Sequence, residues 1–471
     1  MSSFPTPLFA GQRFAVVGLG RNGLPAAQAL AAMGASVVAW DDNPKAREAA
    51  EADAGRLGYE VRDPGESRFE FDALVLSPGI PHIRPRVHPI AARALAAGVP
   101  ILTDAELLYQ AVRAAGSRAR FVGITGTNGK STTTALLAHI LAIARVPVAA
   151  GANLGPAALS LPLLPDNGVY VLEMSSYMLE RLATIRFHPA VMLNLSPDHI
   201  ERHGDMDGYI RAKAAIFARQ TAADLAVIGV DDHWGGEALR LSGSPARVAR
   251  VSGGPEADVF YRDGVLRDAA GPILAMSEAP TLPGAHNAQN AAATAAMALF
   301  LGVSRADIAA GLRTYPGLAH RQQLIATIDG IAFINDSKAT NADSTAWALG
   351  CHDRIVWIAG GMAKEGGIEA LAPYFPRLVR AFLIGQDAPI LAATLAAHGI
   401  AHETVGTLEA AVPAALAAAR AQGTQPHGTQ TGMPVVLLSP ACASFDQFSG
   451  FDARGDRFAD LARALANAGA A

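Results

Sequence analysis

Short apolar runs alternate with alanine-rich, helix-favouring stretches along the whole chain, and no other feature limits the fold as much. Phe14-Ala15-Val16-Val17 precedes a helical stretch from Leu24 to Met33, which leads into Val37-Val38-Ala39-Trp40. Strands joined through helices pair in parallel, so the pattern predicts an α/β protein built on parallel sheets. A second run opens at Phe121-Val122 and continues through Val169 to Leu172 and Val191 to Leu193. A third, opening near Arg321, includes Ile331 to Ile334, Ile355 to Ile358, Phe382 to Ile384 and Val435 to Leu438. A chain of 471 residues needs more than one core, and three domains are expected, at 1–103, 104–317 and 318–471. Gly423 to Pro434, polar and rich in glycine, is expected to be a mobile surface loop, and no function is assigned to it.

The segment Gly123-Ile-Thr-Gly-Thr-Asn-Gly-Lys-Ser131 follows a strand and opens a helix containing Leu137, Ile140 and Leu141. It reads as a phosphate loop. Gly126, Thr127, Asn128 and Gly129 would bring backbone N–H groups to phosphate oxygens at a helix N-terminus, Lys130 would supply a cation, and the hydroxyls of Ser131 and Thr132 follow. The usual spacing places a glycine where this chain has Ile124, with glycines instead at Gly123 and Gly126. A merely structural turn is the competing reading, but Gly-Lys-Ser-Thr between strand and helix argues against it.

Glu173 ends a strand and Asn194-Leu-Ser-Pro-Asp-His199 follows the next, where α/β sheets place their chemistry. Alone, Glu173 could be a helix-capping acid and His199 a satisfied loop histidine; together they indicate a site for a cation. Near the N-terminus, Gly18-Leu-Gly20-Arg-Asn-Gly23 with Asp41 after the next strand matches the dinucleotide fingerprint. That leaves an NAD-dependent oxidoreductase open, although the same geometry suits any nucleoside diphosphate. A regulatory nucleotide-binding module would explain the phosphate loop but leave the third domain idle. In Tyr209-Ile-Arg-Ala-Lys-Ala-Ala-Ile-Phe217, helical spacing surrounds Lys213 with Tyr209, Ile210, Ile216 and Phe217. Such a lysine either snorkels to water or is buried with a depressed pKa.

Composition excludes several classes. No apolar run is long enough to cross a bilayer, and Met1 to Ala10 carries no basic region ahead of an apolar stretch, so membrane insertion and secretion are not expected. Cys351 and Cys442 alone make no disulfide framework, which suits a reducing cytoplasm. A formal charge of -4 without basic clusters disfavours nucleic acid.

Taken in order, these segments resemble the Mur ligase family over essentially the whole chain. The resemblance rests on Gly-Thr-Asn-Gly-Lys-Ser-Thr, Asn153 in Gly-Ala-Asn-Leu-Gly, Glu173-Met-Ser-Ser, Asp198-His199 with Arg202-His203-Gly204, Leu282-Pro-Gly-Ala-His-Asn287 and Asn335-Asp-Ser-Lys-Ala-Thr-Asn341. Asp336-Ser-Lys-Ala-Thr340 and Leu438-Ser-Pro-Ala-Cys-Ala-Ser-Phe-Asp-Gln-Phe448 look most like the members that add D-glutamate. The resemblance implies a Rossmann-like N-terminal domain for the UDP substrate, a central P-loop-type ATPase domain with a parallel sheet, and a Rossmann-like C-terminal domain that closes over both. It implies ATP-dependent amide formation between UDP-N-acetylmuramoyl-L-alanine and D-glutamate through an acyl phosphate, by a cytoplasmic monomer. Carried over by position, Ser131 and Glu173 attend one Mg²⁺ and His199 a second, together with Lys213 in carbamylated form. Asn287, Asn290, Arg321 and Asp336 reach ATP, and Lys338 stands with Lys130 at the reacting phosphate. Thr340, Lys364, Ser444 and Phe445 surround D-glutamate, while Asn22, Asp41, Asp42, Gly79 and Asn153 hold the UDP substrate.

Overall fold

A computed structural model of the protein describes residues 3–66, 68–254, 256–364, 366–423 and 432–469. Most of the loop expected at Gly423 to Pro434 lies outside the described residues. The chain divides into two compact units, Met1–Tyr315 and Pro316–Ala471.

The first unit carries two sheets. In one, β1 (Arg13–Val17), β2 (Ser36–Trp40), β3 (Glu60–Val61), β4 (Ala73–Leu76) and β5 (Ile101–Leu102) lie in the order β3-β2-β1-β4-β5, parallel throughout. The order reverses between β1 and β4, so the loops leaving those two strands frame the position where such sheets hold ligands. The other sheet contains β6 (Arg120–Thr125), β7 (Val148–Ala152), β8 (Val169–Glu173), β9 (Pro189–Met192), β10 (Leu225–Gly229), β11 (Arg247–Ser252), β12 (Val259–Arg262), β13 (Val265–Asp268) and β14 (Gly271–Ala275). Its order is β14-β13-β12-β11-β10-β9-β6-β8-β7, which sets β6 between β8 and β9. The helices Lys130–Ile143 and Ala285–Phe300 pack together, and every residue from Asn287 to Ala298 is buried. Alanine at most of those positions keeps helix propensity high while letting neighbouring backbones come close.

The second unit holds β15 (Gln323–Ile328), β16 (Ile331–Asn335), β17 (Ile355–Gly360), β18 (Leu378–Ile384), β19 (His402–Gly406) and β20 (Val435–Leu438), in the order β15-β16-β20-β17-β18-β19. Each apolar cluster of the molecule draws its residues from one unit alone.

The expected α/β architecture around parallel sheets is observed, with two antiparallel additions. β12, β13 and β14 form a meander on the second sheet, and β15 pairs antiparallel with β16. The turn between β12 and β13 is Asp263-Gly264 (φ 51° and 81°), and that between β15 and β16 is Asp329-Gly330 (φ 52° and 78°). Positive φ at both central positions matches the twist of the flanking strands, and Asp-Gly is the sequence signal for it. The helix expected to carry Lys213 between Tyr209 and Phe217 is also shorter, Met206–Ala214, so Ile216 and Phe217 pack from the turn that follows.

Candidate functional site

Strand β6 delivers the chain into Gly126-Thr127-Asn128-Gly129, and the helix from Lys130 begins at once. Gly129 caps that helix at φ 83°, and a Cβ there would collide with Oδ1 of Asn290. Gly123 is needed for space, because a Cβ would lie 2.8 Å from the Phe187 ring. Ile124, at the position where the usual spacing has glycine, is a buried strand residue and plays no part in the turn. Asn194 fastens the loop: its Oδ1 accepts from Asn128 N (2.9 Å), its backbone carbonyl accepts from Thr127 N (2.9 Å), and its Nδ2 donates to Gln289 Oε1 (3.1 Å). Lys130 Nζ donates to the carbonyls of Gly126 (3.0 Å) and Thr127 (2.7 Å). The Ser131 side chain is buried at the first turn, where helix N–H groups are unpaired within the helix.

Lys213 does not snorkel. It is 1% exposed, and Nζ donates to Gly126 O (2.8 Å) and Thr125 Oγ1 (3.2 Å) with the Tyr209 ring 4.9 Å away. Burial, reinforced by the charge of Lys130, pushes its pKa well below the ordinary lysine value.

Glu173, the last residue of β8, sits in register with Ile124 of β6 and is 2% exposed. Its Oε1 accepts from Asn153 Nδ2 (2.6 Å), whereas Oε2 is buried with no hydrogen-bond partner. A buried carboxylate oxygen without a donor is costly unless a cation meets it, and an oxygen ligand suits Mg²⁺. Among the described residues no three His, Cys, Asp or Glu side chains converge into a ready-made metal cluster. The unpartnered Glu173 oxygen therefore fits an ion that also takes oxygens from a bound phosphate. His199 adopts left-handed backbone angles (φ 54°), and its Nδ1 lies 2.9 Å from Tyr177 Oη. Burial lowers its pKa, against the opposing pull of the Asp198 and Glu201 carboxylates.

Other residues take places that the sequence did not specify. Asn290 is buried behind the loop, bonded to Asn287 (3.1 Å) and Thr133 (3.3 Å), so it buttresses Gly129. Asn287 donates to Pro283 O (2.8 Å). Asn153, expected near the UDP substrate, reaches the Glu173 carboxylate. In the first sheet the Asp41 carboxylate accepts from Leu19 N (2.6 Å) and Asn43 N (2.8 Å), tying β2 to the glycine-rich turn. Asp42 pairs with His88 Nε2 (3.0 Å), which lowers its pKa. Asn22 Nδ2 donates to the buried Asp104 (3.3 Å), and Gly79 is exposed with open space around it. Asn194 and Tyr177 carry more of the site than the sequence reading gave them; the polar residues immediately after β9 and β8 were the available signal.

In the second unit Asp336 is buried, accepting from Ser439 Oγ (2.7 Å) and Gln322 N (3.2 Å), and burial raises its pKa to about 7. Arg321 precedes Gln322, and its charge acts on Asp336 against that rise. Lys338 Nζ stands 4.0 Å over the Phe451 ring. Thr340 is half-buried, Ser444 buried, Lys364 exposed, and Phe445 71% exposed. Arg454, fully buried, donates to Ser337 O (2.9 Å) and Cys442 O (3.1 Å) and so joins the loops leaving β16 and β20.

The family model described as the Mur ligase middle domain matches residues 124–298. The UDP-N-acetylmuramoylalanine–D-glutamate ligase of Paramagnetospirillum magneticum is 47% identical, with 99% of each chain covered. The enzyme of that name from Rhodospirillum rubrum is 46% identical over 99% of this chain and 98% of its own. Among solved structures, UDP-N-acetylmuramate-alanine ligase MurC from Thermotoga maritima shares the fold, with a TM-score of 0.58 at 19% identity over 96% of this chain and 100% of its own. MurF from Acinetobacter baumannii does so with a TM-score of 0.58 at 20% identity, over 96% and 93%.

Proposed function

The chain belongs to the Mur ligase family, and from that membership we propose that it joins D-glutamate to UDP-N-acetylmuramoyl-L-alanine at the expense of ATP, in peptidoglycan precursor synthesis. The full-length identity to ligases of that name carries the reading. The alanyl carboxylate attacks the γ-phosphorus of ATP, the bond to the leaving ADP oxygen breaks, and an acyl phosphate results. The D-glutamate amine then attacks the acyl carbon, phosphate departs, the nitrogen loses a proton, and an amide remains.

A carboxylate and a triphosphate repel each other, so the site has to gather positive charge around the transferring group. Lys130 and the N–H groups at the start of its helix would meet that need; those of Thr127 and Asn128, expected to face phosphate, are instead taken by Asn194. Ser131 and Glu173 would hold one Mg²⁺, and His199 with a carbamylated Lys213 a second; the ions would neutralise phosphate charge. Lys213 suits carbamylation because its burial favours the neutral amine, which adds CO₂ and releases a proton to give an anionic carbamate. Asn287, Arg321 and Asp336 serve ATP, with Lys338 at the reacting phosphate. Thr340, Lys364, Ser444 and Phe445 serve D-glutamate, and Asn22, Asp41, Asp42, Gly79 and Asn153 the UDP substrate. No described helix is long and apolar enough to cross a membrane, and we place the enzyme in the cytoplasm as a monomer. The oxidoreductase reading has no support: full-length relatives are ligases, and nothing in it accounts for the phosphate loop.

The test is ADP release with UDP-N-acetylmuramoyl-L-alanine and D-glutamate, set against L-glutamate, L-lysine and diaminopimelate. D-glutamate is expected to support turnover with a product heavier by one glutamyl residue. Turnover with L-lysine alone would overturn the assignment.

A further inference from the structure

Arg181 lies just beyond the short helix Ser176–Leu179, on the phosphate-loop side of the first unit, yet its side chain serves the other sheet. It is 3% exposed. Nη1 donates to Leu76 O (2.7 Å) and Ser77 O (3.1 Å), Nη2 to Ile80 O (2.5 Å) and Pro78 O (3.5 Å), and Nε to His82 Nδ1 (3.1 Å). All five N–H groups of the guanidinium have an acceptor, and four of the acceptors are main-chain oxygens, one on the last residue of β4 and three in the loop that leaves it. Such a loop is shaped around the cation, since removing the cation would take a donor from four of its carbonyls at once.

That loop borders the expected UDP site. A Cβ on Gly18, in the glycine-rich turn after β1, would meet Ser77 Cβ at 2.5 Å and Ile80 Cδ1 at 2.7 Å, so the two loops touch at the reversal between β1 and β4. Gly79 projects from it, exposed. The same cation belongs to a buried cluster that reaches the phosphoryl-transfer side. His82 Nδ1 also receives Arg202 Nη2 (3.1 Å), Arg202 pairs with Glu180 (3.1 Å), and Glu180 accepts from His203 Nδ1 (3.0 Å). Arg202 and His203 stand on the one-turn helix that begins directly after His199. Two donors on Nδ1 place the imidazole proton of His82 on Nε2 and keep the ring neutral.

We infer that Arg181 is a positioning residue for the UDP substrate, holding the Ser77–Ile80 loop in its binding shape from the catalytic side of the first unit. The inference rests on the proposed ligase reading. It assigns part of the substrate affinity to a side chain that follows Glu173 by eight positions and has no direct place in phosphoryl transfer.

The experiment measures KM for each substrate in Arg181→Ala and Arg181→Lys, with isothermal titration of UDP-N-acetylmuramoyl-L-alanine into each variant and a melting curve. Arg181→Ala is expected to raise KM and Kd for that substrate about tenfold or more, to leave KM for ATP and D-glutamate within about twofold, and to regain affinity with added guanidinium. Arg181→Lys, which keeps the charge but cannot reach four carbonyls at once, should lie between. Unchanged KM and Kd for the UDP substrate in a folded variant would overturn the inference, and so would an equal rise in all three KM values. If Arg181→Ala does not fold, Arg181→Lys decides by the same criteria. Wild-type protein that forms no product with D-glutamate would instead defeat the ligase reading, independently of Arg181.

Discussion

Lys130 holds two carbonyls of its own loop, outside the strand pairing of β6 and the ladder of the following helix. Lys130→Ala is therefore expected to melt close to wild type while ADP release falls about a thousandfold or more, because the charge acts on the transferring phosphoryl group. Normal release at saturating ATP would remove the loop from catalysis. Lys213 differs, being buried among donors' partners rather than facing a phosphate. Lys213→Ala should be inactive and partly rescued by formate or acetate, and ¹³C NMR after incubation with labelled bicarbonate should show a carbamate signal on wild type only. Full activity of Lys213→Ala in CO₂-depleted buffer would contradict this. Asp336 gives a pH signature. Its pKa is raised from 3.8 to about 7, so between those values the folded state holds a proton that the unfolded state has lost. Stability from this group is fully present below about pH 4 and is lost as pH rises through 7. Asp336→Asn, read by denaturant midpoints, should lack that decline. Of these three, Lys130 was legible from its motif alone. The pairing of burial with a depressed pKa at Lys213 was legible as one of two alternatives, because spacing reveals apolar neighbours but not depth. Asp336 was legible only as a motif position, since nothing local in a sequence announces Ser439 as its partner.

At the level of elements, the glycine-rich turn between β1 and the helix Gly23–Ala32 separates two uses of the same residue. A Cβ on Gly23 would overlap the carbonyl oxygen of Gly18, whereas a Cβ on Gly20 meets nothing within 4 Å. Gly23→Ala should cost about 3 kcal/mol or more, read from denaturant midpoints, and Gly20→Ala should leave stability within about 0.5 kcal/mol. Equal costs would show that the turn relaxes. The parallel strands were readable from the sequence because each is a short apolar run bounded by a helix. The meander β12-β13-β14 was not, since its strands are short and partly exposed, such as Val-Leu-Arg-Asp at β13, and lack the fully buried pattern of their neighbours. Its one clear mark was Asp263-Gly264. Likewise Arg181 and Glu106 gave no sign of their roles: Glu106 on the helix Asp104–Ala114 accepts from the amides of Ala183 (3.0 Å), Thr184 (2.7 Å) and Ile185 (3.1 Å), contacts some eighty positions away in the chain.

For the molecule as a whole, the apolar clusters keep to one side or the other of the Tyr315–Pro316 division. Units with cores of their own unfold as separate cooperative blocks. Scanning calorimetry should resolve two transitions, and UDP-N-acetylmuramoyl-L-alanine should raise only the one belonging to Met1–Tyr315. A single transition that moves as one with ligand would refute the separation. The division has a consequence for how such a chain can change over time. Every position proposed to recognise D-glutamate falls after Pro316, while the positions proposed to hold the sugar nucleotide and most of those around ATP fall before it. A lineage can thus alter which amino acid it accepts by exchange or drift in one segment, with the ancestral engine in the other left intact, and chimaeras cut at this junction are the natural place to look for hybrid specificities.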